Sequence, residues 1–212
     1  MRLYLVFGAL ASAIPAFSQP FSFGVKLGVP LTDFVDTVRS PNFGFNTSTK
    51  RYVIGPSAEL RLPFGLGVEV DALYRRLNYE GTGTLFDVLT NNRTTGNAWE
   101  FPILAKYRFP SRVVRPYVSA GVAFDTLSGL TQTITRTVAP SSVTTTSDSP
   151  AELKNQTTKG FVMGAGIEVK ALVLRLSPEI RYTRWGSSHF EDVNGLLRSN
   201  RNQAEFLLGI KF

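Results

Sequence analysis

Apolar and polar residues alternate one by one through most of this chain, most clearly in its last eleven residues. In 202–212, Ala204, Phe206, Leu208, Ile210 and Phe212 share one parity. Gln203, Glu205, Gly209 and Lys211 hold the other, and Leu207 is the single large apolar exception. A two-residue period belongs to a β-strand with one apolar and one polar face. The same period predicts eight strands, at 21–29, 51–62, 65–79, 97–109, 115–128, 159–170, 172–185 and 202–212. The connections alternate in length. Those at 63–64, 110–114 and the bend at Ala171 are short, while 30–50, 80–96, 129–158 and 186–201 are long. Both termini fall on the short-turn side, as an even strand count requires. No helical period, domain linker or internal repeat interrupts this pattern after the first residues.

The charges follow the alternation. In the fourth strand Trp99, Phe101, Ile103, Ala105, Tyr107 and Phe109 face one way, and Glu100, Lys106 and Arg108 the other. In the seventh, Leu172, Leu174, Leu176, Ile180 and Tyr182 oppose Arg175, Glu179 and Arg181. Taken over all strands, the polar face collects Lys26, Arg61, Arg75, Lys106, Arg108, Lys170, Arg175, Arg181 and Lys211. It also collects Glu59, Glu69, Asp71, Glu100, Asp125, Glu168, Glu179 and Glu205, so the set is nearly neutral. A soluble sandwich would pack its apolar faces together and turn its charges to water. A lipocalin-type carrier would need an apolar interior. Lipid outside and charge inside fit a transmembrane barrel, where an outward Lys or Arg near the midplane costs about 2–4 kcal/mol. The expected fold is therefore all-β, an eight-stranded antiparallel up-and-down transmembrane β-barrel. Its interior is only wide enough to be filled by side chains, here by salt bridges across the lumen. Closure also leaves no unpaired backbone in lipid.

The N-terminus departs from the alternation. Arg2 is followed by an apolar run from Leu3 to Ile14, then Pro15 and Ala16-Phe17-Ser18. This is the pattern of a secretory signal, expected to be cleaved after Ser18. The chain then divides into a signal peptide at 1–18 and one barrel domain at 19–212. There is no cysteine among the 212 residues, so the fold is expected to hold without disulfides. The formal charge of +7 invites a nucleic-acid reading. Most basic residues, however, are assigned to the lumen or spread over the rims, and no basic stripe forms.

Aromatics mark both ends of the apolar face. Tyr107, Phe109 and Phe212 lie toward the short turns, and Tyr74, Trp99, Phe124 and Tyr182 toward the long loops. Three strand-end charges, Arg76, Lys159 and Arg184, have outward parity at the loop end. There they are expected to meet lipid phosphates, which guanidinium groups bind well. The loop 129–158 is rich in Ser and Thr; its Thr/Ile/Val alternation could prolong the flanking strands, and Pro140 and Pro150 break it. A mobile tip without a fixed conformation is expected there.

With the signal ending Ala16-Phe17-Ser18, the eight alternating strands and the terminal Ala-Glu-Phe-Leu-Leu-Gly-Ile-Lys-Phe, the chain resembles the small OmpA/OmpX-type outer-membrane β-barrels. The resemblance covers the whole mature chain and implies residence in the outer membrane of a Gram-negative bacterium. It implies that Phe206, Leu208, Ile210 and Phe212 form the signal read by the barrel assembly machinery. The peptidoglycan-binding module of larger relatives is expected to be missing after Phe212. Expected partners are outer-membrane lipid, lipopolysaccharide, the assembly machinery and an extracellular ligand of the long loops.

Candidate chemistry is sparse. His189 is the only histidine, in Gly186-Ser-Ser-His-Phe-Glu191, and is expected to be a solvated loop residue. A hydrolase acting on lipid A or phospholipid would pair it with Ser187, which shares its parity, rather than with the adjacent Ser188. Glu191-Asp192 lacks a third metal ligand, and no cofactor motif is present. The leading expectation is a structural or adhesive barrel, with a narrow porin-like channel as the alternative. The outer-membrane fraction in mild detergent should show a band that changes mobility on boiling. A soluble protein with no shift would mean that the two faces have been assigned inside out.

Overall fold

The computed structural model describes residues 20–37, 43–47, 51–85, 88–111, 113–138, 141–150, 152–171, 174–190 and 197–212. The expected signal peptide, Pro140, Leu172 and the Glu191-Asp192 pair lie outside the described residues. The strands are β1 (Phe21–Pro30), β2 (Val35–Thr37), β3 (Phe43–Thr47), β4 (Val53–Arg61), β5 (Leu66–Asp71), β6 (Leu73–Leu85), β7 (Val88–Arg108), β8 (Val114–Val138), β9 (Ser141–Ser147), β10 (Thr157–Ala171), β11 (Leu174–Trp185), β12 (Leu197–Ser199) and β13 (Asn202–Lys211).

Eight strand positions form an antiparallel ring. β1 pairs with β4, and β4 with β5 and β6. β7 follows, then β8, β10, β11 and β13, which returns to β1 through Lys26↔Gly209 and Leu27↔Leu208. β5 and β6 count as one position. The pairings Val70↔Ile103 and Leu73↔Glu100 lie in one continuous register on β7, and the strand is interrupted only at Ala72. The third predicted strand is thus one strand with a break. At the break a Cβ on Gly55 would lie 1.8 Å from the Ala72 carbonyl oxygen, so only glycine lets the two backbones approach. The first short turn is a 3-10 turn, Pro63–Gly65, with Phe64 and Gly65 at φ 63° and 81°.

Lipid-facing and lumen-facing residues alternate as expected. Along β7, Glu100, Pro102, Leu104, Lys106 and Arg108 are buried, while Phe101, Ile103, Ala105 and Tyr107 are exposed. The outward apolar run from Trp99 to Phe109 covers ten residue steps. At about 3.4 Å per step and a tilt near 40°, that is about 26 Å of height, matching the apolar band of an outer-membrane barrel. Girdle aromatics pair along its edges: Tyr74 lies tilted against Trp99 at 5.2 Å and Tyr107 meets Phe109 edge-on at 5.1 Å between ring centroids. At the loop end the Tyr74 and Tyr182 hydroxyls donate to Asn97 and Asn202 at 2.7 and 2.8 Å, leaving their rings on the apolar side.

The long connections are more regular than their composition suggested. β6 and β7 continue as a hairpin to Leu85↔Val88, and β8 runs on to pair with β9 over Gln132↔Ser147 to Val138↔Ser141. β3 adds to the outer side of β6. The Thr/Ile/Val alternation thus prolongs the flanking strands as expected, because such residues suit an extended backbone, while residues 139–140 at the expected mobile tip lie outside the described residues. Above the apolar band the two faces exchange character. On β6, Leu77 and Tyr79 point inward and are buried, while Arg76, Glu80 and Thr82 face out. Outside lipid, water again becomes the solvent and apolar residues turn in. Replacing Gly55 with alanine should lower stability by about 1–3 kcal/mol through overpacking at the β4–β6 contact. Urea titration of the refolded barrel in micelles, read by gel mobility, would measure it; an unchanged midpoint would mean that the break at Ala72 absorbs a methyl group.

Candidate functional site

Inward parity on all eight ring strands brings the predicted charges into one interior, in three tiers. Nearest the short turns, Glu168 accepts from Arg61 at 2.8 Å and from Arg108 at 3.3 Å. Glu59 pairs with Arg108, and with Lys211 at 2.8 Å. In the middle tier Glu69 is the hub: Lys26, Lys211, Lys106 at 2.6 Å and Arg181 at 3.4 Å converge on its carboxylate. These cations come from four different strands. Arg181 also binds Asp71 at 3.0 Å and Glu179 at 3.0 Å, and Lys26 reaches Asp71 and Glu179 at 3.1 Å each. Lys26, Glu69 and Arg181 are 0% exposed. Charges so fully removed from water are tolerable only with several opposite partners each.

In the upper tier Arg75 faces Asp125 at 2.6 Å, Glu205 at 3.3 Å and Glu100 at 3.8 Å. It also donates to Gln203 at 3.0 Å and lies 4.8 Å from the centre of the Phe34 ring. One guanidinium thus serves three carboxylates. Above it Phe34, Leu77, Tyr79, Ala98, Leu127, Leu130 and Phe190 form an apolar cluster, with Leu153 packed on it.

Two of the interior expectations are corrected. Lys170 has inward parity, but it is exposed at the end of β10, opposite Arg175, where the interior opens at the short-turn rim. Arg175, expected inside, is half-buried there and donates to Ser22 at 3.4 Å. His189 is not a solvated loop residue. It is 4% exposed, with Nδ1 donating to the Asn155 carbonyl oxygen at 2.8 Å. Nε2 lies 3.2 Å from Asp125 and 3.1 Å from the Thr158 hydroxyl. The returning segment after β9 holds it there: Leu153 bridges Phe190, the Lys154 amide donates to the His189 carbonyl, and Glu152 accepts from Asn92 and Gln132. In a nucleophile relay the orienting acid and the hydroxyl engage opposite ring nitrogens. Here both meet Nε2, and among the described residues no hydrogen bond joins Ser187 to the ring. The only sequence sign of this burial was the adjacent Phe190. Tyr117 also went unrecognised: its hydroxyl donates to Glu179 at 3.1 Å, and the Lys106 ammonium sits 4.1 Å above its ring.

The outward sets are arranged differently. On β13, Phe206 is exposed and Leu208 and Ile210 half-exposed, and Phe212, just past its end, is exposed, all toward lipid. The Phe212 amide donates to the Phe23 carbonyl at 2.9 Å, beside the β1 seam. Of the three rim cations, Lys159 and Arg184 sit on neighbouring strands β10 and β11, whereas Arg76 on β6 lies three strands from β10 around the ring. The predicted trio is therefore a pair plus one distant residue.

A closed antiparallel ring with lipid-suited outside and charged inside has a counterpart among known families. Residues 17–186 match the family described as outer membrane protein beta-barrel domain. The chain belongs to that family. It resides in the outer membrane. Among solved structures, the outer membrane protein OprG from Pseudomonas aeruginosa is similar at 14% identity and a TM-score of 0.53, covering 91% of this chain and 94% of its own. Neisserial surface protein A is similar at 14% identity and a TM-score of 0.44, covering 91% and 96%. No curated protein matches the chain.

Changing Glu69 to glutamine removes the charge on which four cations converge. We expect a loss of about 3–5 kcal/mol, the usual effect of breaking a buried pair. Changing Arg51, exposed and paired with exposed Asp33, should cost at most about 1 kcal/mol. Comparing the two unfolding midpoints in one detergent tests whether the interior network holds the ring.

Proposed function

We propose that this protein is a closed, non-catalytic outer-membrane barrel that carries a binding platform outside the cell. The observation behind this reading is the two-storey interior, with a cross-linked ion-pair network below and the Phe34–Tyr79–Phe190 cluster above. Such an interior leaves little room for a water column, which argues against the channel alternative. The platform is the extended sheet of β3, β6, β7, β8 and β9. Its β9 strand is exposed throughout, uncharged and free of proline, so its outer edge suits recognition by strand addition or by side-chain contact. The Nε2 geometry of His189 weighs against the hydrolase reading. In the same proposal the lipid-facing residues of β13, ending at Phe212, are the feature read during assembly.

The test has two parts. Purified protein in planar bilayers should give no conductance steps; regular steps would favour the channel. A variant in which the β8–β9 hairpin is cut back to a two-residue Asn-Gly turn should stay heat-modifiable. Cells displaying it should attach less well to extracellular-matrix surfaces than cells displaying the full protein. Equal attachment would remove the adhesive role of the hairpin.

A further inference from the structure

The outer wall at the loop end carries a groove of about 430 Å³ across β8, β10 and β11. We propose that it binds the phosphorylated headgroup of a saccharolipid of the outer leaflet, with Lys159, Arg184 and Arg201 on the phosphate and Val122, Phe124 and Phe161 under the acyl chains. The inference rests on outer-membrane residence and is independent of the loop-binding role.

Register builds the site. Phe161 lies opposite both Arg184 on β11 and Val122 on β8, and Lys159 lies opposite Phe124. The apolar floor is open to lipid, with Val122, Phe124 and Phe161 each 42–50% exposed. Lys159 and Arg184 flank this floor at the loop end of β10 and β11. Arg201 is brought in by the last loop. Its Nε donates to the Trp185 carbonyl at 3.1 Å and one terminal nitrogen donates to the Gly186 carbonyl at 2.9 Å. The guanidinium is thus fixed before any ligand arrives, which lowers the entropic cost of binding. Gly186 keeps this part of the wall low: a Cβ there would meet only the Lys159 carbonyl, at 3.1 Å.

Charge selects the ligand. The groove lining contains three cations and no carboxylate. Exposed Arg51 and Arg93 are neutralised by Asp33 and Glu80. Among the described residues Lys159, Arg184 and Arg201 form no ion pair. Two guanidinium groups and an ammonium suit a phosphomonoester, whose oxygens accept parallel charge-assisted bonds. Free phosphate would engage the cations but leave the apolar floor unused. A zwitterionic phospholipid carries an ammonium beside its phosphate, which these cations repel. Arg76 stands on a distant part of the ring and takes no part.

Native mass spectrometry of the full barrel in micelles tests this, with bisphosphorylated lipid A, dephosphorylated lipid A, phosphatidylglycerol and phosphatidylethanolamine as probes. Bisphosphorylated lipid A should bind about tenfold or more tightly than each of the others, as expected for losing one charge-assisted contact. The double change Arg184→Gln with Arg201→Gln should remove that preference, while Arg76→Gln should leave it intact. Both variants should remain heat-modifiable, since these side chains lie outside the barrel. Equal retention of dephosphorylated lipid A or phosphatidylglycerol would overturn the proposal. So would a preference that survives the double change or is lost equally in Arg76→Gln. Inorganic phosphate displacing lipid A at equal concentration would assign the site to free phosphate instead.

Discussion

Glu69 sits where four strands send a cation to one carboxylate, and the interior is organised around that convergence. A barrel of eight strands has no room for a solvated lumen charge, so each inward Lys or Arg needs an acid from across the ring. Lys26, Lys106, Arg181 and Lys211 meet this condition together, and Glu59, Asp71 and Glu179 take up their remaining capacity. The network ties strands that are not neighbours in the sheet, which backbone pairing alone does not do. The lipid side contributes differently: outward Phe, Val and Ile there gain little from one another, and serve mainly to keep charge out of the bilayer.

The change of solvent along the barrel axis explains the rest of the architecture. Inside the apolar band the interior is ionic. Beyond it the outward face becomes polar, and Leu77, Tyr79, Leu127 and Leu130 turn inward as in a soluble protein. His189 marks the junction, with its ring stacked on Phe34 and its Nε2 on Asp125 of the upper ionic tier. It joins the long loops to the barrel wall. The sheet beyond the apolar band is therefore a continuation of membrane strands held by a second core.

Much of this was legible from residue parity. A strand's two faces follow from its alternation, so the inward charges, the lipid-facing aromatics and the eight-strand ring could be read from single residues such as Glu100 between Trp99 and Phe101. Lys170 shows the limit of parity, which assigns a face but not a height, and Lys170 lies just past the end of the lumen. His189 and Arg201 show a second limit. Both lie in irregular segments, where no period reports direction, and their surroundings come from residues far away in sequence.

Residue alternation alone made this chain a closed antiparallel barrel with charge inside and lipid outside, because a period of two and the cost of charge in lipid are local constraints. Which cation meets which acid was settled in three dimensions, because strand register and ring order set distances between residues more than 100 positions apart, as in the Arg181–Asp71 pair. The same cause separated Arg76 from Lys159 and Arg184, and placed Arg201 beside them in a groove that no single stretch of sequence contains.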